Sequence, residues 1–155
     1  MKKLVSLLSV LLVMSCVVEE GVDGRDGRDG GLIVADVISV SNANFNAPNF
    51  EIIVDFEPIY SDEVILVYRR WSNNTWRLLP QTVFFENGNE LDYNFDFTQN
   101  DVSIFLDSTL DLNTLGAEWI QNQTFRIVII PASQINGVDI SDINTVMAIG
   151  NIEAF

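Results

Sequence analysis

"LDYNFDFTQNDVSIFL", residues 91–106, reads as two strands and the turn between them. Leu91, Tyr93, Phe95 and Phe97 alternate with Asp92, Asn94 and Asp96. After "TQND", Val102, Ile104 and Leu106 alternate with Asp101, Ser103 and Asp107. A period of two sends successive side chains to opposite faces of an extended chain. Each run therefore offers one face to a core and the other to water.

The same pattern spreads in both directions. Phe50, Ile52, Val54 and Phe56 alternate with Glu51, Ile53 and Asp55. Val64 to Trp71 and Phe125 to Ile130 are more uniformly apolar, as central strands are. Leu32 to Val40 supplies a first strand. "NANFNAPN", "EPIYSD", "SNN" and "ENGNE" are turn chemistry, and Asn87-Gly88 is a hairpin signal. Near the end, Ser141 to Ile149 reads as a helix capped by Ser141 or Asp139, while Met147 to Ile152 offers a last strand. Many short strands between polar turns predict an all-β fold. The expected architecture is a single antiparallel β-sandwich over residues 32–155, immunoglobulin-like or jelly-roll-like, with at most one short helix.

The start is of another kind. Lys2 and Lys3 precede an apolar stretch from Leu4 to Met14, about half the ~20 residues a membrane-spanning helix needs. A positive start, a short apolar core and a small residue before the cut describe an export signal over residues 1–15. Val13-Met14-Ser15-Cys16 resembles the lipobox of bacterial lipoproteins. That resemblance implies cleavage before Cys16 and a thioether-linked diacylglycerol on it, so that the bilayer is a partner through the acylated cysteine. The alternative is an ordinary cleaved signal that leaves a free thiol. Val17, rather than aspartate, follows the cysteine, and Glu19-Glu20 resembles an acidic export tag. Together these point to the outer membrane, on its cell-surface side.

Residues 16–31 then carry Gly21-Val22-Asp23, Gly24-Arg25-Asp26 and Gly27-Arg28-Asp29. Collagen needs glycine at every third position. Three triplets without proline bury too little to order a triple helix, so a flexible tether and a monomer are expected over a trimer. The aspartates do not fit a calcium-loop pattern.

Composition narrows the chemistry. The chain has 8 basic and 22 acidic residues, no histidine and a formal charge of −14. Without residues 1–15, which hold both lysines, the charge is two units more negative. Nucleic acid demands a basic footprint and is excluded as a partner. Without histidine, lysine or a free cysteine there is no Ser-His-Asp triad, Schiff base or thiolate metal site, so no cofactor, metal or catalytic residue is expected. Carboxylate pairs are the remaining catalytic option.

The signal, the triplets, "DEVILVYRRW", "WRLLPQTVFF", "LDYNFDFTQNDVSIFL" and "FRIVIIP" together resemble the small collagen-like lipoproteins of environmental, surface-gliding Gram-negative bacteria. The resembled family has no established activity, so the resemblance carries no catalytic residue over to this chain.

The candidate sites are few. "WSNNTW" sets Trp71 and Trp76 at the ends of a tight turn, as a cross-strand staple or as a sugar-stacking platform that Trp119 and Tyr60 join only if loops converge. Asp92, Asn94 and Asp96 form an acidic strip that cannot wrap a calcium ion by itself. "DLNTLG", residues 111–116, fails as a calcium loop because Leu115 stands where an oxygen ligand belongs. Arg69, Arg70, Arg77 and Arg126 suggest ion pairs or a rim on a sheet. "DST" makes Ser108 an O-glycan candidate. The expected function is a membrane-anchored, acidic binding or structural module for a glycan or protein ligand. The alternative is a carboxylate-dependent hydrolase of a surface polymer.

Overall fold

The computed structural model describes residues 35–150. The signal, Cys16, the triplet tract, positions 32–34 and the last five residues lie outside the described residues. Within them the chain is the antiparallel β-sandwich that its alternation predicts. One four-stranded sheet has the spatial order β1 (Asp36–Ala43), β8 (Gln123–Pro131), β3 (Glu63–Arg70) and β4 (Trp76–Leu78). The other runs β2 (Glu51–Asp55), β7 (Asp101–Ser108), β6 (Glu90–Phe97) and β5 (Gln81–Phe84).

Residues 91–106 form the β6–β7 hairpin, paired from Leu91 opposite Ser108 to Phe97 opposite Val102. Thr98 closes its turn, donating from its amide to the Asp101 carbonyl and from its hydroxyl to the Asp101 carboxylate, both at 2.9 Å. Leu91, Tyr93, Val102, Ile104 and Leu106 are buried between the sheets, as the alternation requires. Phe97, at the end of the strand, is 45% exposed. The Asn87-Gly88 hairpin joins β5 to β6 through residues 85–89, with Gly88 at φ +81°.

β3 and β8 lack a polar face because both of their faces are covered. Ile65, Val67, Phe125, Ile127 and Ile129 face the core between the sheets. Leu66, Tyr68, Val128 and Ile130 face a second core beneath α2 (Ile143–Ile149), which contributes Ile143, Val146 and Met147. Burying each such aliphatic side chain contributes about 1.5–3 kcal/mol. The structure corrects the reading of this C-terminal stretch. Met147 to Ile149 are helical, so no strand runs through them. The N-cap is Asp142, which accepts from the Asn144 amide at 3.0 Å. Asp139 instead caps the preceding turn by accepting from the Ser141 amide and hydroxyl. The Tyr68 hydroxyl donates to the Ile140 carbonyl at 2.6 Å and ties the helix approach to β3.

A single turn, α1 (Ala117–Ile120), interrupts the β7–β8 connection and places Trp119. The outer face of the β2–β7–β6–β5 sheet is acidic and studded with exposed Ile53 and Phe84. Asp92 stands opposite Asp107 there, and Asp55 opposite Asp101.

Candidate functional site

The inward parity of β3 continues beyond Val67 to Arg69 and then Trp71. Arg69 is 3% exposed, an unusual setting for a cation. Its Nε and Nη2 both donate to Oε1 of Gln123, at 3.0 and 2.6 Å. Gln123 opens β8 and is itself buried. Its Nε2 donates to the carbonyls of Glu118 and Gln121, at 2.9 and 2.7 Å, so the amide is locked with its oxygen towards Arg69.

The guanidinium lies over the Tyr93 ring, 3.8 Å from its centroid. The Tyr93 hydroxyl donates to the Trp119 carbonyl at 2.6 Å and so holds the α1 turn against the sandwich. Trp119 packs edge-on against Phe85, with centroids 5.4 Å apart, and lies 6.1 Å from Trp71. Arg69 and Arg77, paired across β3 and β4, both rest on Trp71, at 5.0 and 4.4 Å from its centroid. Over this floor opens a cleft of about 390 Å³, whose lining includes Arg69, Trp71, Trp119, Asn122 and Thr124.

Burial draws the pKa of Arg69 below its ordinary value; Tyr93 opposes that shift and Arg77 adds to it. Burial also pushes the Tyr93 phenol up to about 12, against the pull of Arg69. Among the described residues neither Arg69 nor Arg77 pairs with a carboxylate. Arg69 Nη1 has no hydrogen-bond partner there, and neither do Nε2 and Oε1 of Gln81, the buried residue opposite Tyr93 on β5.

Comparison with protein-family models, curated proteins and solved structures returned no match.

Trp71 and Trp76 do not meet across their turn. A 3-10 turn at Ser72–Asn74 sets Trp76 opposite Arg70, so the two indoles leave opposite faces of one sheet. Trp76 packs on the helix-side core, with Arg126 4.4 Å from its ring centroid. It borders a second cleft, of about 520 Å³, with Arg70 and Asp142. The Asp142 carboxylate is occupied there by Asn144 and Thr145. Trp119 does converge with Trp71, whereas Tyr60 sits beside Glu63 at the other end of β3.

Ser108 is half-buried and its hydroxyl is engaged, donating to the Glu90 carbonyl at 2.6 Å and accepting from the Leu110 amide at 3.0 Å. Asp92 and Asp107 lie on an open sheet face. No cluster of acidic, histidine or cysteine side chains suited to a metal occurs among the described residues. The sequence reading overlooked Gln123 and Gln81. Strand parity held a signal for Gln123, which is two residues before inward Phe125.

Proposed function

We propose that this chain is a lipid-anchored binding module, held on the outer face of the outer membrane through Cys16 and spaced from it by the Gly-X-Asp tract. The lipobox-like Val13 to Cys16, the acidic charge and the likeness to small collagen-like lipoproteins support the anchor and the location. One observation carries the binding role: two indoles and a buried arginine are set around an open cleft by a floor whose hydrogen bonds fix them in place. Rigid aromatic area at low entropy cost is what recognition surfaces use. The carboxylates brought together by strand pairing stand on a flat face, so the reading favours recognition over hydrolysis.

The test is a titration of the detergent-solubilised full chain with a panel of soluble neutral and acidic glycans, followed by tryptophan fluorescence. Trp119→Ala should abolish the response while circular dichroism stays unchanged. Trp76→Ala, on the other face of the sheet, should leave it intact. Equal loss in both variants would sink the cleft assignment, and cleavage of any glycan by the wild type would overturn the non-enzymatic reading.

A further inference from the structure

We infer that the cleft between α2 and the outer face of β3, β4 and β8 takes a phosphomonoester, seated between the guanidinium groups of Arg70 and Arg126. It is a second site, on the opposite face of the sheet from the Trp71–Trp119 cleft, and it stands or falls separately from that one.

An acidic chain gathers its cations here. The described residues hold four arginines and no lysine, and all four lie on β3, β4 and β8. Strand parity divides them. Arg69 and Arg77 share the face of Trp71, while Arg70 and Arg126 turn to the face that α2 covers. Arg126 stands opposite Tyr68, and Arg70 is two residues beyond Tyr68 on the same face. Such diagonal neighbours are about 7–8 Å apart, close enough for two long side chains to meet on one ion. Both line the cleft of about 520 Å³. Small-ligand sites have volumes of about 300–1,000 Å³.

Arg126 is half-buried, with its guanidinium carbon 4.4 Å from the Trp76 ring centroid, a contact that fixes the charge at the cleft wall. Arg70, opposite Trp76 across the strand pair, is exposed, and no carboxylate pairs with it among the described residues. One acidic group, Asp142, also lines the cleft. Its carboxylate is committed to α2. It accepts from the Asn144 amide at 3.0 Å, from the Asn144 side chain at 3.2 Å and from the Thr145 hydroxyl at 2.9 Å. Two cations against one such carboxylate make the cleft a positive spot on a chain of formal charge −14.

The pair of cations selects the anion. One guanidinium fork satisfies the two oxygens of a carboxylate. Two forks call for more acceptors, and a phosphomonoester supplies three terminal oxygens and up to two charges. Asn74, Thr75 and Asn144 put exposed amides and a hydroxyl at the same cleft, where they meet the polar part of the esterified group. The arginines recognise the phosphoryl group itself, whether it is free, on a sugar or on a lipid.

The experiment is a calorimetric titration of the detergent-solubilised full chain with inorganic phosphate, glucose 1-phosphate and dihexanoyl phosphatidate, with glycerophosphocholine as the diester control. At least one of the first three should bind, and the diester about tenfold or more weakly. The tightest of the three names the source as free ion, sugar or lipid. Affinity should rise between about pH 5 and pH 7, as the second phosphate proton leaves. Arg70→Gln should lose about tenfold or more without moving the unfolding midpoint, because Arg70 is exposed. Arg126→Gln should lose as much; should it fail to fold, Arg70→Gln and the diester still decide. Asp142→Asn, which keeps a capping side chain and removes a like charge, should bind more tightly. Trp119→Ala, expected to remove the glycan response, should leave phosphate binding unchanged, so the two sites fail separately. Binding that Arg70→Gln leaves intact, or equal binding of monoester and diester, would overturn the inference. Silence from every phosphate compound would do the same.

Discussion

Gln123 does for Arg69 what a carboxylate does at most buried guanidinium groups, with one carbonyl oxygen taking two N–H bonds. Gln123→Leu would strand both donors and two backbone carbonyls, so unfolding in urea should show a loss of about 3 kcal/mol. Gln81→Leu should behave in the opposite way. Both of its amide atoms are buried without partners, so an apolar side chain of similar size should be neutral or stabilise by about 1 kcal/mol. A clear loss of stability in Gln81→Leu would contradict that accounting. Tyr93 adds a pH dependence. The fold favours its neutral phenol, whose pKa is pushed from 10.0 up to about 12. Its contribution is therefore complete below pH 10.0 and is lost as pH rises through about 12. Tyr68 shifts in the same direction and steepens the decline. Tyr93→Phe should be less stable at neutral pH, because the Trp119 carbonyl loses its donor. It should also lose stability less steeply above pH 10.0, as urea midpoints at stepped pH would reveal.

Among the elements, the strands with one wet face were the legible ones. Residues 91–106 and 50–56 alternate because water takes every second side chain. β3 and β8 carry the same parity, hidden by a second core on their other face. Once parity is followed through Val67, it reaches Arg69, so the buried cation was within reach of the sequence. Its partner was not, because the register of β3 against β8 is set by pairing between residues more than fifty positions apart. Trp71 and Trp76 failed as a pair for a similar reason: one residue of register decides which face an indole leaves. The "INTVMAI" segment suits a strand or a helix equally by composition, and the waiting apolar face of β3 and β8 decides for the helix. Two substitutions test these local devices. Asp142→Ala should cost about 1 kcal/mol through loss of the cap. Gly88→Ala should cost about 1–2 kcal/mol from its backbone at φ +81° alone, since no neighbouring atom would meet the new Cβ. Thermal or urea unfolding of the full chain reads both.

At the scale of the whole molecule the two sheets are unequal. One is wrapped by α2, and the other turns an acidic face to solvent. Met147, 1% exposed at the centre of the wrapped side, should cost about 2–5 kcal/mol when truncated to alanine. The proposed anchor is tested by Cys16→Ser, which should leave the membrane fraction; an unchanged distribution would remove the anchor from the account. If the anchor stands, the geometry of β1 acquires a mechanical meaning. An anchored chain would enter at the Asp36 end of this edge strand, and the proposed binding cleft adjoins its other end, where Ala43 pairs with Gln123 and Asn44 accepts from the Asn122 amide. A pull between the membrane and a ligand held in that cleft would run along the axis of β1, over a strand about 25 Å long. Tension in that direction slides β1 against β8 and strains the hydrogen bonds of the ladder together, instead of peeling them apart one by one. On the proposed reading, the edge strand β1 would then resist load best along its own axis, the line on which an anchored cell would tug.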